Sequence, residues 1–143
     1  MSEHRNGSWF GRTAMFGATI AGVVVAGITA QTAASDEIRG ALAGNSLVGK
    51  GKTQKGVPWD VVYYLLPNGT MQVYSAMPSW QGTDAGSWWV DDSENFCRQF
   101  KKWSKGQSGC WRMTPDGNTI HFNRVSGFAP KWRGRIVPGN ALP

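Results

Sequence analysis

Two tight-turn signatures constrain the fold of this chain more than any other feature. "LPNGT" (Leu66 to Thr70) and "TPDGNT" (Thr114 to Thr119) each set a proline beside Asn-Gly or Asp-Gly. Those dipeptides reach the positive φ angles that close a β-hairpin, and proline stops the strand before them. The flanking runs are β-branched and aromatic, so "WDVVYYLL" pairs with "TMQVYSA" and "CWRM" with "NTIHFNR". A third hairpin is expected in "CRQFKKWSKGQSGCWRM", where a turn near Lys105-Gly106 brings Cys97 opposite Cys110.

Adding "NSLVGK", "GSWWVD" and "KWRGRIVP" predicts strands near 44–50, 58–66, 70–76, 86–91, 95–102, 109–114, 118–125 and 132–137. Short connections make neighbours antiparallel, and no segment among them is long enough for a parallel crossover. The expected fold is all-β: a small eight-stranded up-and-down barrel, or a strongly coiled sheet, occupying 44–143. An N-terminal apolar helix precedes it, joined by a linker over 35–43 in which Ser35 or Asp36 caps a short helix carrying Ile38 and Leu42 on one face.

The amino-terminal part, 1–34, differs in texture. Thr13 to Ala30, "TAMFGATIAGVVVAGITA", carries no charge, and Arg5 and Arg12 precede it. Two readings fit. One is a secretory signal cleaved near Ala30 or Ala34, which leaves a soluble periplasmic domain. The other is a retained inner-membrane anchor with its amino terminus cytoplasmic, because eighteen helical residues span about 27 Å. Ala14, Ala18, Gly22, Ala26 and Ala30 recur every four residues and form a small-residue stripe against which another membrane helix could pack.

Both readings export the remainder. In an oxidising compartment the only two cysteines, Cys97 and Cys110, are expected to form a disulfide rather than a metal site. The net charge of +6 is also unevenly distributed. From Ser35 to Asn95 four bases face seven acids, giving −3; from Phe96 onward nine bases face only Asp116, giving +8.

No reaction is written in the sequence. "GNSLVGKGKT" approaches a phosphate-binding loop, but Gly51 stands where a Ser or Thr hydroxyl must reach magnesium. His121 alternates with Ile120 and Phe122 and reads as a strand residue. Asp91, Asp92 and Glu94 share a polar turn, too short an array for a calcium loop. No catalytic residue, metal site or cofactor is expected.

Aromatic residues interleaved with basic ones, in "FCRQFKKWSKGQSGCWR" and "PKWRGR", point to a docking surface. Export argues against nucleic acid and favours anionic lipid headgroups, an acidic cell-wall polymer or the acidic face of a partner protein in a membrane complex. The expected contacts are Trp89, Lys101, Lys102, Trp103, Trp132, Arg133 and Arg135. In "GSWWVD" strand alternation sends Trp88 inward, while Trp89 shares a face with Ser87 and Asp91.

The segments "LAGNSLVG", "YYLLPNGT", "GSWWVDDSENFC" and "GCWRMTPDGNTI" resemble small exported bacterial domains of unknown function that carry a Gly-x-Trp strand, an acidic turn and two cysteines. Gly86 and Trp88 also resemble the Gly-x-Trp signature of lipocalin-like barrels, in which that motif opens the first strand; here it falls mid-domain. The resemblance implies no enzyme activity. The functional expectation is a periplasmic, non-catalytic accessory subunit tethered to a membrane assembly. Its rival is a carrier that holds a small apolar ligand against Trp59, Tyr63, Trp88 or Phe122.

Overall fold

The structure is a computed structural model that describes residues 34–143. The small-residue stripe and the cleavage or anchoring of the first segment lie outside the described residues. Eight antiparallel strands close into an up-and-down barrel: β1 (Ser46–Lys52), β2 (Pro58–Leu65), β3 (Thr70–Met77), β4 (Trp80–Val90), β5 (Phe96–Phe100), β6 (Ser108–Asp116), β7 (Thr119–Gly127) and β8 (Trp132–Val137). β8 pairs back onto β1 through Ser46↔Val137 to Gly51↔Trp132, which leaves the sheet no free edge.

The expected hairpins form with details of their own. Pro67 and Asn68 keep negative φ and only Gly69 is left-handed (φ 88°), so a tight turn closed by the Gly69 amide on the Leu66 carbonyl (3.1 Å) is followed by a glycine bulge. In the second hairpin Asp116 pairs with Thr119, and Gly117 (φ 60°) opens a two-residue loop. β4 is longer than expected, eleven residues instead of six, because Met77↔Trp80 closes a two-residue turn at Pro78-Ser79. "WQGTDAGS" lacks the apolar alternation that marks a strand, and its pairing comes from the neighbouring β3.

Side chains of the expected kind fill the interior. Val61, Tyr63 and Leu65 of β2 point inward, as do Met71 and Val73 of β3 and Trp88 of β4. Tyr63 sits among Phe96, Phe100 and Trp132, with ring centroids 6.1, 6.3 and 5.6 Å away. Phe96 stacks on Trp111, and Phe122 lies parallel to Trp132 at 3.8 Å. Buried indoles find acceptors at two places: Trp88 Nε1 donates to the Leu66 carbonyl and Trp111 Nε1 to that of Pro130, both at 2.9 Å.

The apparent phosphate loop is explained by these rings. A Cβ on Gly49 would stand 2.6 Å from the Trp132 ring, and one on Gly51 would run into the ring of Trp59. Glycines on β1 thus make room for indoles brought in by β2 and β8.

One end of the barrel is covered by helix α1, residues 34–42. Its Leu42 is 1% exposed and joins the core; Arg39 places its guanidinium 5.5 Å from the Trp88 ring centre, and the Ser35 hydroxyl donates to the Asp91 carbonyl at 3.0 Å. The segment expected to act as a linker therefore packs on the barrel as a lid, because Ile38 and Leu42 find apolar partners there.

Candidate docking rim

Strand direction sorts the connections into two sets. Odd strands run away from the helix-covered end, so the β1–β2, β3–β4, β5–β6 and β7–β8 connections share the opposite rim. Six of the chain's seven lysines lie on it: Lys52, Lys55, Lys101, Lys102, Lys105 and Lys131. Residues 52–57, 77–80, 101–107 and 128–131 contain no acid and no arginine. The helix end is the converse, with Asp36 and Glu37 on α1, Asp91, Asp92 and Glu94 between β4 and β5, and Asp116 in the β6–β7 hairpin. The barrel is electrically polar along its axis.

The same rim carries exposed apolar side chains. Val57, Met77, Trp80 and Phe128 are four of the six large hydrophobics exposed among the described residues, Trp80 at 46% and Phe128 at 50%. Unpaired apolar surface of this kind is worth explaining where it clusters.

The β5–β6 connection is the most constrained part of the rim. Ser104 and Lys105 both adopt left-handed backbone (φ 53° and 54°), and Gly106 continues it at 71°. For the two non-glycine residues this costs about 1–2 kcal/mol each. Surrounding bonds hold the turn. Asp84 Oδ2 accepts from the Lys102 and Trp103 amides, both at 2.9 Å, Gln99 Nε2 donates to the Gly106 carbonyl at 3.0 Å, and Gln107 N returns to the Ser104 carbonyl at 2.9 Å. Burial by itself would raise the Asp84 pKa; the amides of Trp103, Lys102 and Ala85 and the Lys102 charge outweigh it, and the carboxyl titrates below its ordinary range. Trp103 then rests half-buried between Trp80 and Phe100, with ring centres 5.5 and 5.4 Å away.

Behind the turn lies a buried cation. Arg98 is 1% exposed, has no carboxylate partner among the described residues, and stands over Phe100 and Trp111 at 4.0 and 4.7 Å. Its Nη1 reaches the Gln107 carbonyl at 3.5 Å, a long contact, and its Nε has no partner among the described residues. The ring faces supply the attraction a carboxylate would otherwise provide. Burial raises the Tyr63 pKa, and the Arg98 charge and hydrogen bonding oppose that rise.

The residues expected at a docking surface separate into four groups. Lys101, Lys102 and Trp103 stand together on the rim. Arg133 and Arg135 point outward on the wall of β8, where His121, Arg133, Lys50 and Asp60 form one cross-strand row. Trp89 is half-buried on the outer face beside Cys97, its register partner, away from the rim. Trp132 is a correction: at 3% exposure it belongs to the core, because strand alternation in β8 turns it inward onto Phe122 while its basic neighbours face out. Cys97 and Cys110 form the expected disulfide, with Cα atoms 4.1 Å apart on paired strands. Asp91 lies beside them, but with both sulfurs bonded to each other the trio is no metal site.

Sequence reasoning missed Asp84, Arg98, Trp80 and Phe128. Nothing local marks the first two. The strand bounds expected from sequence put Lys101 and Lys102 inside a strand; the observed end of β5 at Phe100 is what places them with the other rim lysines on odd-to-even connections.

The surface depressions lie outside the packed interior. One of about 400 Å³, bordering the rim, is lined by Lys50, Lys52, Lys131, Arg133, His121 and Asp60 among others. Another of about 600 Å³ runs across β3 to β5 near Gln72, Ser87, Gln99 and Lys101. Among the described residues no helix is long and apolar enough to cross a membrane. No protein family, curated protein or solved structure matches the chain.

Proposed function

We propose that the chain is an exported, non-catalytic interaction subunit of a membrane assembly, tethered or delivered by its amino-terminal segment, and that its working surface is the lysine rim. The observation that carries this reading is the concentration of six lysines and four exposed apolar side chains at one end of the barrel, in connections that themselves contain no acid, while six of the eight described acids lie at the other end. The disulfide fits an oxidising compartment such as the periplasm. A left-handed turn held by Asp84 on that rim is the kind of local strain that persists where a surface has work to do.

The lipocalin-like carrier has less support. Tyr63, Trp88 and Phe122, three of the four side chains that would face an apolar ligand, are already buried against their neighbours.

The test is purification of the full chain from its native membranes in mild detergent, with the intact mass and the co-purifying species identified. Lys52→Glu with Lys101→Glu and Lys105→Glu is expected to lose whichever co-purifying species the rim holds, protein or anionic lipid, while Asp92→Lys at the helix end keeps it. Retention of the same partner by the rim variant at unchanged stoichiometry would remove the rim from this role.

A further inference from the structure

We infer that the surface the rim meets is an anionic lipid bilayer; this rests on the rim being the working surface and names what it works on. The first reason is the choice of cation. The described chain has six arginines, placed at the helix end (Arg39), in the interior (Arg98), on the walls (Arg112, Arg133, Arg135) and at the rim-side end of β7 (Arg124, tied to the Gly127 carbonyl), and the four rim connections themselves contain none against six lysines on or beside them. Protein interfaces favour arginine and are depleted in lysine. An anionic bilayer makes no demand for a planar, two-pronged donor. It rewards compact charges on flexible stems that stay at the phosphate level while their methylenes lie along apolar surface.

The second reason is where the apolar groups sit. Val57 lies in the β1–β2 connection, Met77 and Trp80 flank the β3–β4 turn, and Phe128 follows β7, so they stand on three separate connections of one rim with lysines on the β1–β2, β5–β6 and β7–β8 connections around them. A pocketed protein partner would want these anchors clustered at one centre. Spread around a barrel end they instead form a shallow apolar ring, able to enter the boundary between headgroups and acyl chains while the lysines bind phosphates. Stable attachment to a membrane takes two signals, and the rim has both charge and apolar insertion.

The third reason is the opposite end. Six acids collected around the helix lid repel an anionic surface, which leaves the rim, and the adjoining β8–β1 wall with Arg133 and Lys50, as the face that approaches.

The experiment uses the full chain labelled with an environment-sensitive fluorophore, either at Ser79→Cys on the β3–β4 tip or at Asn118→Cys in the β6–β7 hairpin at the other end. The probes are phosphatidylcholine vesicles with and without phosphatidylglycerol, and polyglutamate as an acidic polypeptide. The expected result is a blue shift of the Ser79→Cys label on phosphatidylglycerol vesicles alone, weakening with added salt, and none at Asn118→Cys. Lys101→Gln with Lys102→Gln should lower partitioning about 20- to 30-fold, at roughly fivefold per lysine near an anionic surface. Trp80→Ser with Phe128→Ser should lower it while leaving the salt dependence in place. A shift equal on both vesicle types, equal at both label sites, or absent overturns the inference. A response to polyglutamate without one to vesicles also overturns it, and leaves the rim as a protein-docking surface.

Discussion

Replacing Trp132 by alanine separates a core residue from a surface contact at the position where sequence and structure differ. The indole is 3% exposed and stacks on Phe122 at 3.8 Å, with Tyr63 and Trp111 at 5.6 and 6.2 Å. A buried indole of about 200 Å² is worth about 5 kcal/mol at ~25 cal/mol per Å². Its Nε1 has no partner among the described residues, so truncation also relieves a buried unsatisfied donor, a credit of about 1–2 kcal/mol. The expected net loss is about 3–4 kcal/mol, within the usual range for deleting a core aromatic ring. Trp132→Phe keeps most of the stack and removes the orphan donor, and should cost no more than about 1.5 kcal/mol. The assay is urea unfolding followed by circular dichroism. With a slope of about 1–2 kcal/mol per molar, the alanine midpoint should fall by about 1.5–4 M. A loss below about 0.5 kcal/mol, of the size surface substitutions show, would refute the packing argument and return Trp132 to the contact surface.

Other outcomes test the frame around the rim. Cys97→Ala with Cys110→Ala opens a loop of sequence separation 13 and should lower stability by about 3 kcal/mol on the chain-entropy account, read from urea midpoints under oxidising conditions. Asp84→Asn addresses pH. The folded pKa lies below the unfolded one, so this carboxylate contributes stability above the ordinary carboxylate range and loses it as pH falls through the folded value. Wild type should exceed Asp84→Asn in thermal midpoint at neutral pH, and the gap should close in strong acid; a gap independent of pH would contradict the assignment. Gly49→Ala would drive a methyl into the Trp132 ring and the Arg133 carbonyl, and should destabilise by about 1–3 kcal/mol, with Trp132→Phe in the same chain recovering little because the backbone clash remains.

What the sequence by itself determined about this protein is local. Turn chemistry at Pro67-Asn68-Gly69 and Asp116-Gly117, and the β-branched and aromatic runs between turns, specify eight strands and their antiparallel order, because both depend on residues close in the chain. The cysteine pair follows from the same hairpin register, Cys97↔Cys110. Strand alternation alone places Trp88 inside, and the same rule applied to β8 would have placed Trp132 there too. Tertiary structure decided the rest. The length of β4 is imposed by β3, because "WQGTDAGS" has no strand pattern of its own. That residues 34–42 form a lid depends on where closure leaves an apolar opening. Asp84 reaches two amides eighteen and nineteen residues away, and Arg98 is stabilised by Phe100 and by Trp111 across a neighbouring strand. The lysines are scattered between 52 and 131 in the sequence. Barrel closure gathers them, because alternating strand direction returns every second connection to the same end.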